Sequence, residues 1–211
     1  MSFFSSRSRP LELWPTNIFH SECKFKPIIE EWKMQCKSLL PEENIIRSYR
    51  NNRPWCSESD ELFNLSNFKS LNDWILNETK NGLDYLKIQR DSHYISSLWL
   101  NAQYESNNHT LHSHSNSILS GVVYIDIPPN SQKIVFKDPR PQAQVLVPIM
   151  EDVGEFPIYP KEGNMFFWPS WLEHKTVTEP NVKLDRPRLT MAFNIMIKHS
   201  IKIHGGRFNF V

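Results

Sequence analysis

The sequence is short of glycine and of cysteine. Its 211 residues include six glycines, against fifteen prolines. Few flexible positions and many rigid turns favour short strands joined by turns over long helices. The three cysteines, Cys23, Cys36 and Cys56, have neither CxxC nor zinc-like spacing. Their odd number argues against a disulfide framework and indicates a reducing compartment.

Long apolar runs and blocks of basic residues are also missing. No run of eighteen apolar residues is present, and the opening MSFFSSRSRP has no apolar segment of the kind a signal peptide needs. We therefore expect a cytoplasmic protein without a membrane partner. The 24 basic and 23 acidic residues give a net charge of +1. Without a basic block, nucleic acid is not an expected partner.

Two amphipathic helices are expected in the first half of the chain. From about residue 25 to 40 the apolar side chains recur at i, i+3, i+4 and i+7, with Pro27 in the first turn. A second apolar stripe runs from about 70 to 87. Ser70 and Asp73 at its start resemble a capping box.

After residue 92 the sequence changes to short segments rich in β-branched and aromatic residues, bounded by Pro, Gly, Asn or Asp. So many short strands are typical of a sandwich or jelly roll. We expect a mainly β (α+β) fold with a helical N-terminal layer packed on one sheet. The chain would be a single domain over 1–211, with 1–92 a mostly helical support and 93–200 a double-sheet barrel. The predicted strands are 95–104, 109–114, 118–127, 132–136, 143–149, 156–159, 164–168, 173–178 and 187–197.

A metal site is indicated by three histidines. His112 and His114, at i and i+2, would point the same way from one strand, and His174 follows an aromatic-rich stretch sixty residues later. Three protein ligands leave open positions, as in a catalytic site. Imidazole suits Fe, Zn, Cu and Ni alike. Lone histidines are more often structural or exposed, and His109 is a possible substitute ligand.

The last predicted strand alternates between two kinds of face. Arg188 and Thr190 share a small polar face, whereas Leu189 and Met191 begin a large apolar one. A guanidinium inside a barrel needs an anion, either a carboxylate or a phosphate. The alternative is an Arg188 that points outward and pairs with a surface acid. Tyr124 is either a second contact for that anion or a core tyrosine bonded to backbone.

These motifs together resemble a bacterial and phage family of 2-oxoglutarate/Fe(II) oxygenases, within the superfamily that includes prolyl hydroxylases. The resemblance covers most of the chain and is densest from 96 to 198. It implies a double-stranded β-helix, a cupin-like jelly roll. The segments that carry it are His112-Ser-His114, Ser120-Gly-Val-Val-Tyr124, Phe136-Lys-Asp-Pro-Arg140, Phe167-Trp-Pro-Ser-Trp171-Leu-Glu-His174 and Arg188-Leu-Thr190.

The resemblance also implies roles for individual residues. His112 and His174 are the two histidine ligands of Fe(II), and His114 stands where the superfamily has an acidic ligand. Arg188, helped by Thr190, holds the far carboxylate of 2-oxoglutarate. The remaining roles are a carboxylate contact for Tyr124, a contact to the other end of 2-oxoglutarate for Asn101, and substrate contacts for Trp171 and Asn194.

The implied reaction consumes 2-oxoglutarate and O2, hydroxylates an unidentified prime substrate, and releases succinate and CO2. One alternative is a three-His cupin-type dioxygenase that needs no 2-oxoglutarate, for which a buried Arg188 would have no use. Another is a non-enzymatic jelly roll that binds a metal or a ligand. An exposed edge strand would favour a homodimer.

Overall fold

Two antiparallel sheets face each other in the computed structural model, which describes residues 13–41, 54–105, 107–146, 154–203 and 206–210. The larger sheet has the strand order β1-β7-β4-β9-β3-β2, with β10 paired to β9, and the smaller has the order β6-β5-β8. The strands are β1 (Phe19–Glu22), β2 (Trp55–Cys56), β3 (Ser92–Gln103), β4 (Leu119–Asp126), β5 (Lys133–Lys137), β6 (Glu155–Ile158), β7 (Asn164–Pro169), β8 (His174–Val177), β9 (Arg188–Ile203) and β10 (Gly206–Phe210).

The two expected helices are present as α1 (Lys26–Ser38) and α2 (Lys69–Tyr85). Each helix buries one row of side chains along its length. In α2 this row includes Leu71, Ile75 and Leu83, whose spacing places them on one face of the helix. The predicted capping box at the start of α2 is wrong. The helix begins after Phe68 without a side-chain cap, and Ser70 instead accepts a hydrogen bond from Trp32 of α1 at 2.9 Å. The Ser70 hydroxyl thus helps to join the two helices.

The main hydrophobic core lies between the helices and the larger sheet. Apolar side chains of β9, namely Leu189, Met191, Phe193 and Ile195, join those of α1 and α2 in this core, as the alternation predicts. Burying one such side chain fully contributes about 1.5–3 kcal/mol. Their neighbours on β9 consequently face the space between the two sheets.

A smaller core fills part of the space between the sheets. Tyr124 and Trp168 of the larger sheet pack there with Ile134 and Phe136 of the smaller one. The Phe136 and Trp168 rings meet edge to face, with centroids 4.8 Å apart. This core closes part of the barrel and leaves a cavity beside it.

Two predicted strands are wrong. Residues 109–114 form no regular strand, and only His112 pairs with the sheet, through an isolated bridge to His174. Over 143–149, the described part belongs to a 3₁₀ helix at Pro141–Leu146, and 147–149 lie outside the described residues. Pro141 fixes the φ angle at the start of that turn. Conversely, the N-terminal region is less purely helical than expected, because β1 and β2 extend the larger sheet at its edges.

Within the part of the chain that the structure describes, no helix has the length and apolarity needed to cross a membrane.

Candidate active site

His112 and His174 are held together by their backbones. The amide of His112 donates to the carbonyl of His174 at 3.0 Å, and the amide of His174 donates back at 2.9 Å. Each ring also has a fixed tautomer. Nδ1 of His112 lies 2.7 Å from the Thr110 carbonyl, and Nδ1 of His174 lies 3.1 Å from that of Leu172. Because a carbonyl only accepts, Nδ1 carries the proton in the neutral form of each ring, which leaves the lone pair of Nε2 for a metal.

His114 reaches the same point without belonging to a strand. Its amide donates to the Ser170 carbonyl at 3.0 Å, four residues before His174 on the facing segment. Its Nε2 lies 3.4 Å from Nε2 of His174. The predicted convergence of His112 and His114 therefore arises from two separate backbone contacts with the 170–174 segment.

The three imidazoles form a compact donor set. One nitrogen from each of His112, His114 and His174 lies within 4.8 Å of the others. Burial lowers the pKa of His114 to about 4 and that of His174 to about 3, and neighbouring histidines contribute to both shifts. Both rings are therefore neutral near pH 7, which is the form that binds metal. Their role as ligands remains a prediction.

Arg188 is buried, with 2% of its surface exposed, and lines a cavity that His112 and His114 also line. Nη1 donates to Gln103 at 2.6 Å, while Nε has no hydrogen-bond partner among the described residues. None of the described carboxylates forms a salt bridge with it. Burial lowers the pKa of this guanidinium, and Tyr124 offsets part of the shift. The alternation on β9 predicts that Arg188 points into the barrel, and the structure agrees. The alternative, in which Arg188 points outward and pairs with a surface acid, is wrong.

Tyr124, Thr190 and Asn101 lie side by side on three neighbouring strands. Thr190 of β9 is in register with Tyr124 of β4 on one side and with Asn101 of β3 on the other. All three are buried and line the cavity. No described residue forms a hydrogen bond of good geometry with the Tyr124 hydroxyl, although it interacts electrostatically with Arg188. The Tyr124 ring centroid lies 5.0 Å from the Arg188 guanidinium carbon. The backbone-bonded core tyrosine considered as an alternative is therefore not what the structure has.

The two residues predicted to touch the substrate lie apart from the cavity lining. Trp171 is 57% exposed, in the turn that leads to His174. The side-chain oxygen of Asn194 accepts a hydrogen bond from Ser120 at 2.8 Å. Trp171 is thus accessible to a ligand, whereas Asn194 is already engaged inside the protein.

The cavity lining also includes residues that were given no role from the sequence, among them Gln103, Trp168 and Thr176. Gln103 shares the face of Asn101 on β3, so the same alternation could have found it. His109 lines the cavity but is outside the three-histidine group, and its ring centroid lies 6.0 Å from that of His112. The Trp168 indole nitrogen is buried, and none of the residues that the structure describes bonds to it.

Comparison with known proteins agrees with this geometry. Residues 97–194 match the family described as "Putative 2OG-Fe(II) oxygenase", a stretch that includes the three histidines and Arg188. None of the curated proteins compared with the chain matches it.

Solved structures share the fold at low sequence identity. A prolyl-4-hydroxylase from Pseudomonas putida is 9% identical, with a TM-score of 0.54 over 87% of this chain and 89% of its own. HygX from Streptomyces hygroscopicus, solved with nickel and 2-oxoglutarate bound, is 14% identical, with a TM-score of 0.56 over 85% and 82%. The epimerase SnoN from nogalamycin biosynthesis is 12% identical, with a TM-score of 0.58 over 90% and 82%.

These likenesses confirm the predicted double-stranded β-helix. Residues 97–194 thus resemble the 2OG-Fe(II) oxygenase family in sequence, and the chain shares the fold of the solved structures above.

Proposed function

We propose that this protein uses Fe(II) and 2-oxoglutarate to hydroxylate an organic substrate, releasing succinate and CO2. One observation carries the proposal. A single cavity is lined both by His112 and His114 and by a buried Arg188 that no described carboxylate neutralises. A metal ligand set and an unpaired cation in one cavity suit a ligand that has a metal-binding end and an anionic end.

The three imidazoles fit a metal ion with open coordination positions. In this assignment His112, His114 and His174 each contribute Nε2. Neutral ligands leave the site more positive than one that includes a carboxylate. Since imidazole suits several first-row metals, the choice of Fe(II) rests on the family and not on the donor set.

Arg188, Tyr124 and Thr190 fit the far carboxylate of 2-oxoglutarate. Within the described part of the chain, Nε of Arg188 and the hydroxyl of Tyr124 are buried groups without a well-formed hydrogen bond, and both gain one when a carboxylate enters. Asn101 lies on the same face and is assigned to the other end of the cosubstrate. When bound, Fe(II), 2-oxoglutarate and O2 together supply the oxidising chemistry, and the surrounding residues orient the reactants and exclude water.

The prime substrate is proposed to bind outside the 2-oxoglutarate pocket. Trp171 and Leu111 are exposed next to the segments that carry the histidines, and both can contact it. HygX has been solved with nickel, 2-oxoglutarate and hygromycin B together, which supports a separate place for a substrate. Asn194 stays a weaker candidate because Ser120 occupies its amide oxygen.

Three broader predictions accompany this assignment. All proposed ligand-binding groups fall within 93–200, which supports a single domain whose residues 1–92 act as support. Among the described strands, β6 pairs only with β5. The other edge of β6 could pair with a second copy of the chain, which supports the predicted homodimer. Light scattering tests this prediction by measuring the molecular mass in solution. A cytoplasmic location also remains a prediction.

The decisive experiment is to incubate the purified protein with Fe(II), O2 and 2-oxoglutarate and to quantify succinate by NMR. Slow succinate formation without a prime substrate is expected, and a His174→Ala variant is the control that should lose it. Oxygen consumption with a thiol or diketone, independent of 2-oxoglutarate, would instead favour a three-His cupin-type dioxygenase. Tight zinc binding without any turnover would favour a non-enzymatic binding protein.

A further inference from the structure

Gln103 is a buried amide placed directly against the cation of the cavity. It ends β3 in register with Arg188 on β9, and 1% of its surface is exposed. Its Oε1 accepts a hydrogen bond from Nη1 of Arg188 at 2.6 Å. This is the hydrogen bond that holds one arm of the guanidinium while Nε stays free.

The orientation of the Gln103 amide is fixed from its other end. Nε2 donates to the Asn107 carbonyl at 2.7 Å and lies 3.3 Å from Oγ1 of Thr176. Because the Asn107 carbonyl only accepts, the amino group must face it, and the oxygen must therefore face Arg188. Gln103 thus presents an acceptor to Arg188 that cannot turn away without losing both of its own bonds.

The same hydrogen bonds connect the cation to the histidine strand. Thr176 lies two residues beyond His174 on β8, and its Oγ1 also accepts from the His109 amide at 2.7 Å. Gln103 therefore bridges β9 of the larger sheet and β8 of the smaller one. Arg188 and His174, which lie on these two strands, are thus linked through Gln103 and Thr176.

A neutral side chain beside Arg188 affects the binding of an anion differently from a charged one. A glutamate at 103 would neutralise Arg188 and repel an incoming carboxylate, whereas a glutamine fixes the guanidinium and leaves its charge available. We propose that Gln103 is a positioning residue that aims Arg188 into the cavity and sets the preference for a keto acid with a second carboxylate. This inference rests on the proposed function.

The test compares two keto acids on protein loaded with Ni(II), by calorimetry. One is 2-oxoglutarate, and the other is 2-oxopentanoate, which has the same chain without the far carboxylate. Gln103→Glu keeps an acceptor but adds charge, and Gln103→Met keeps the size but removes the acceptor. Both variants lose the donor to the Asn107 carbonyl, so they differ from each other in the acceptor and the charge. Gln132→Met is the matched control, because Gln132 is a buried glutamine outside the cavity lining that bonds the Tyr104 carbonyl.

The wild-type protein should prefer 2-oxoglutarate. Losing one charge-assisted contact is worth roughly tenfold in affinity, so Gln103→Glu should lower 2-oxoglutarate affinity at least about tenfold. It should leave the affinity for 2-oxopentanoate nearly unchanged. Gln103→Met should cause a smaller loss in the same direction, and Gln132→Met no change in the ratio. An unchanged ratio in both Gln103 variants overturns the inference.

A second measurement does not depend on 2-oxoglutarate. In a crystal structure of Gln103→Met, the Arg188 guanidinium should move from its wild-type position. A guanidinium that stays in place overturns the positioning role even if ligand affinity falls. Should the wild type fail to distinguish the two keto acids, the proposed function fails, and the guanidinium position still decides the role of Gln103.

Discussion

His112 and His174 form a reciprocal backbone pair, with hydrogen bonds of 3.0 and 2.9 Å in the two directions. The pair joins residues sixty-two positions apart in the chain, so the two imidazoles are held close together before any metal binds. Their ring centroids lie 4.3 Å apart. His114 is tied to the same segment by a single backbone bond to Ser170. The third predicted ligand is therefore the one most easily altered without disturbing the other two.

His114→Ala should lower Fe(II) affinity by at least about tenfold, because even the removal of a residue that only hydrogen-bonds to a metal ligand lowers metal affinity by about that factor. Ser113→Ala is the control, because the exposed Ser113 side chain lies between the two histidines in sequence. Anaerobic Fe(II) titration followed by metal analysis measures both variants. Wild-type iron occupancy in His114→Ala would show that the third ligand lies elsewhere.

Arg188→Met should weaken 2-oxoglutarate binding while leaving metal affinity nearly unchanged. A hydrogen bond to a charged group contributes about 1.5–3 kcal/mol, so the loss should be about tenfold to a hundredfold or more. Arg186→Met is a matched control, because Arg186 pairs with Asp126 and lies outside the cavity lining. Calorimetric titration measures the 2-oxoglutarate affinity of both variants. Equal affinities would show that Arg188 does not bind the far carboxylate.

Tyr124→Phe should have opposite effects on ligand affinity and on stability. The Tyr124 hydroxyl is buried, and among the described residues it makes no hydrogen bond of good geometry, so its removal should leave the free energy of unfolding unchanged or slightly raised. Affinity for 2-oxoglutarate should fall, by about tenfold if the hydroxyl bonds the carboxylate. Thermal melts and calorimetry together are the measurement. A lower Tm with unchanged affinity would show a structural role instead.

Much of this site could be predicted because local periodicity decided it. The two faces of β9 follow from strict alternation, which put Arg188 inside and Leu189 under the helices. His112 and His114 do point to the same place, as predicted, but the strand from which this was predicted does not form. Residues 112 and 114 share a direction because each is bonded to the 170–174 segment, and not because a strand runs through them.

What could not be predicted depends on long-range register. Gln103 became part of the site because β3 pairs with β9 so that residue 103 faces residue 188, eighty-five positions away. No local pattern fixes that register. The predicted strand at 143–149 differs in its described part, where residues 143–146 belong to a 3₁₀ helix that begins at Pro141.

Stability of the metal-free protein should depend on pH through the buried histidines. Burial lowers the pKa of His109 and of His114 to about 4 and that of His174 to about 3, from an ordinary value of 6.5. Between these values the unfolded chain binds more protons than the folded one, so stability should be greatest above pH 6.5 and should fall as the pH drops towards 4.

Urea unfolding in the presence of EDTA, from pH 8 to pH 5, measures this dependence. The comparison with His109→Gln isolates one group, because that variant lacks one of the titrating imidazoles and should show a shallower decline. A midpoint that stays constant across this range in the wild-type protein would contradict the buried, neutral state of these rings.

Gly121→Ala should destabilise the fold by about 1–3 kcal/mol or more, through overpacking between the larger sheet and the helices. A Cβ atom at Gly121 would lie 2.3 Å from the Phe193 ring and 2.8 Å from the backbone oxygen of Phe166. The ring could shift, but the strand backbone cannot move without disturbing the β4–β7 pairing. Urea unfolding gives the free energy, and Ser113→Ala, on an exposed position, is the control. Wild-type stability in Gly121→Ala would show that β4 and β7 lie further apart than this contact requires.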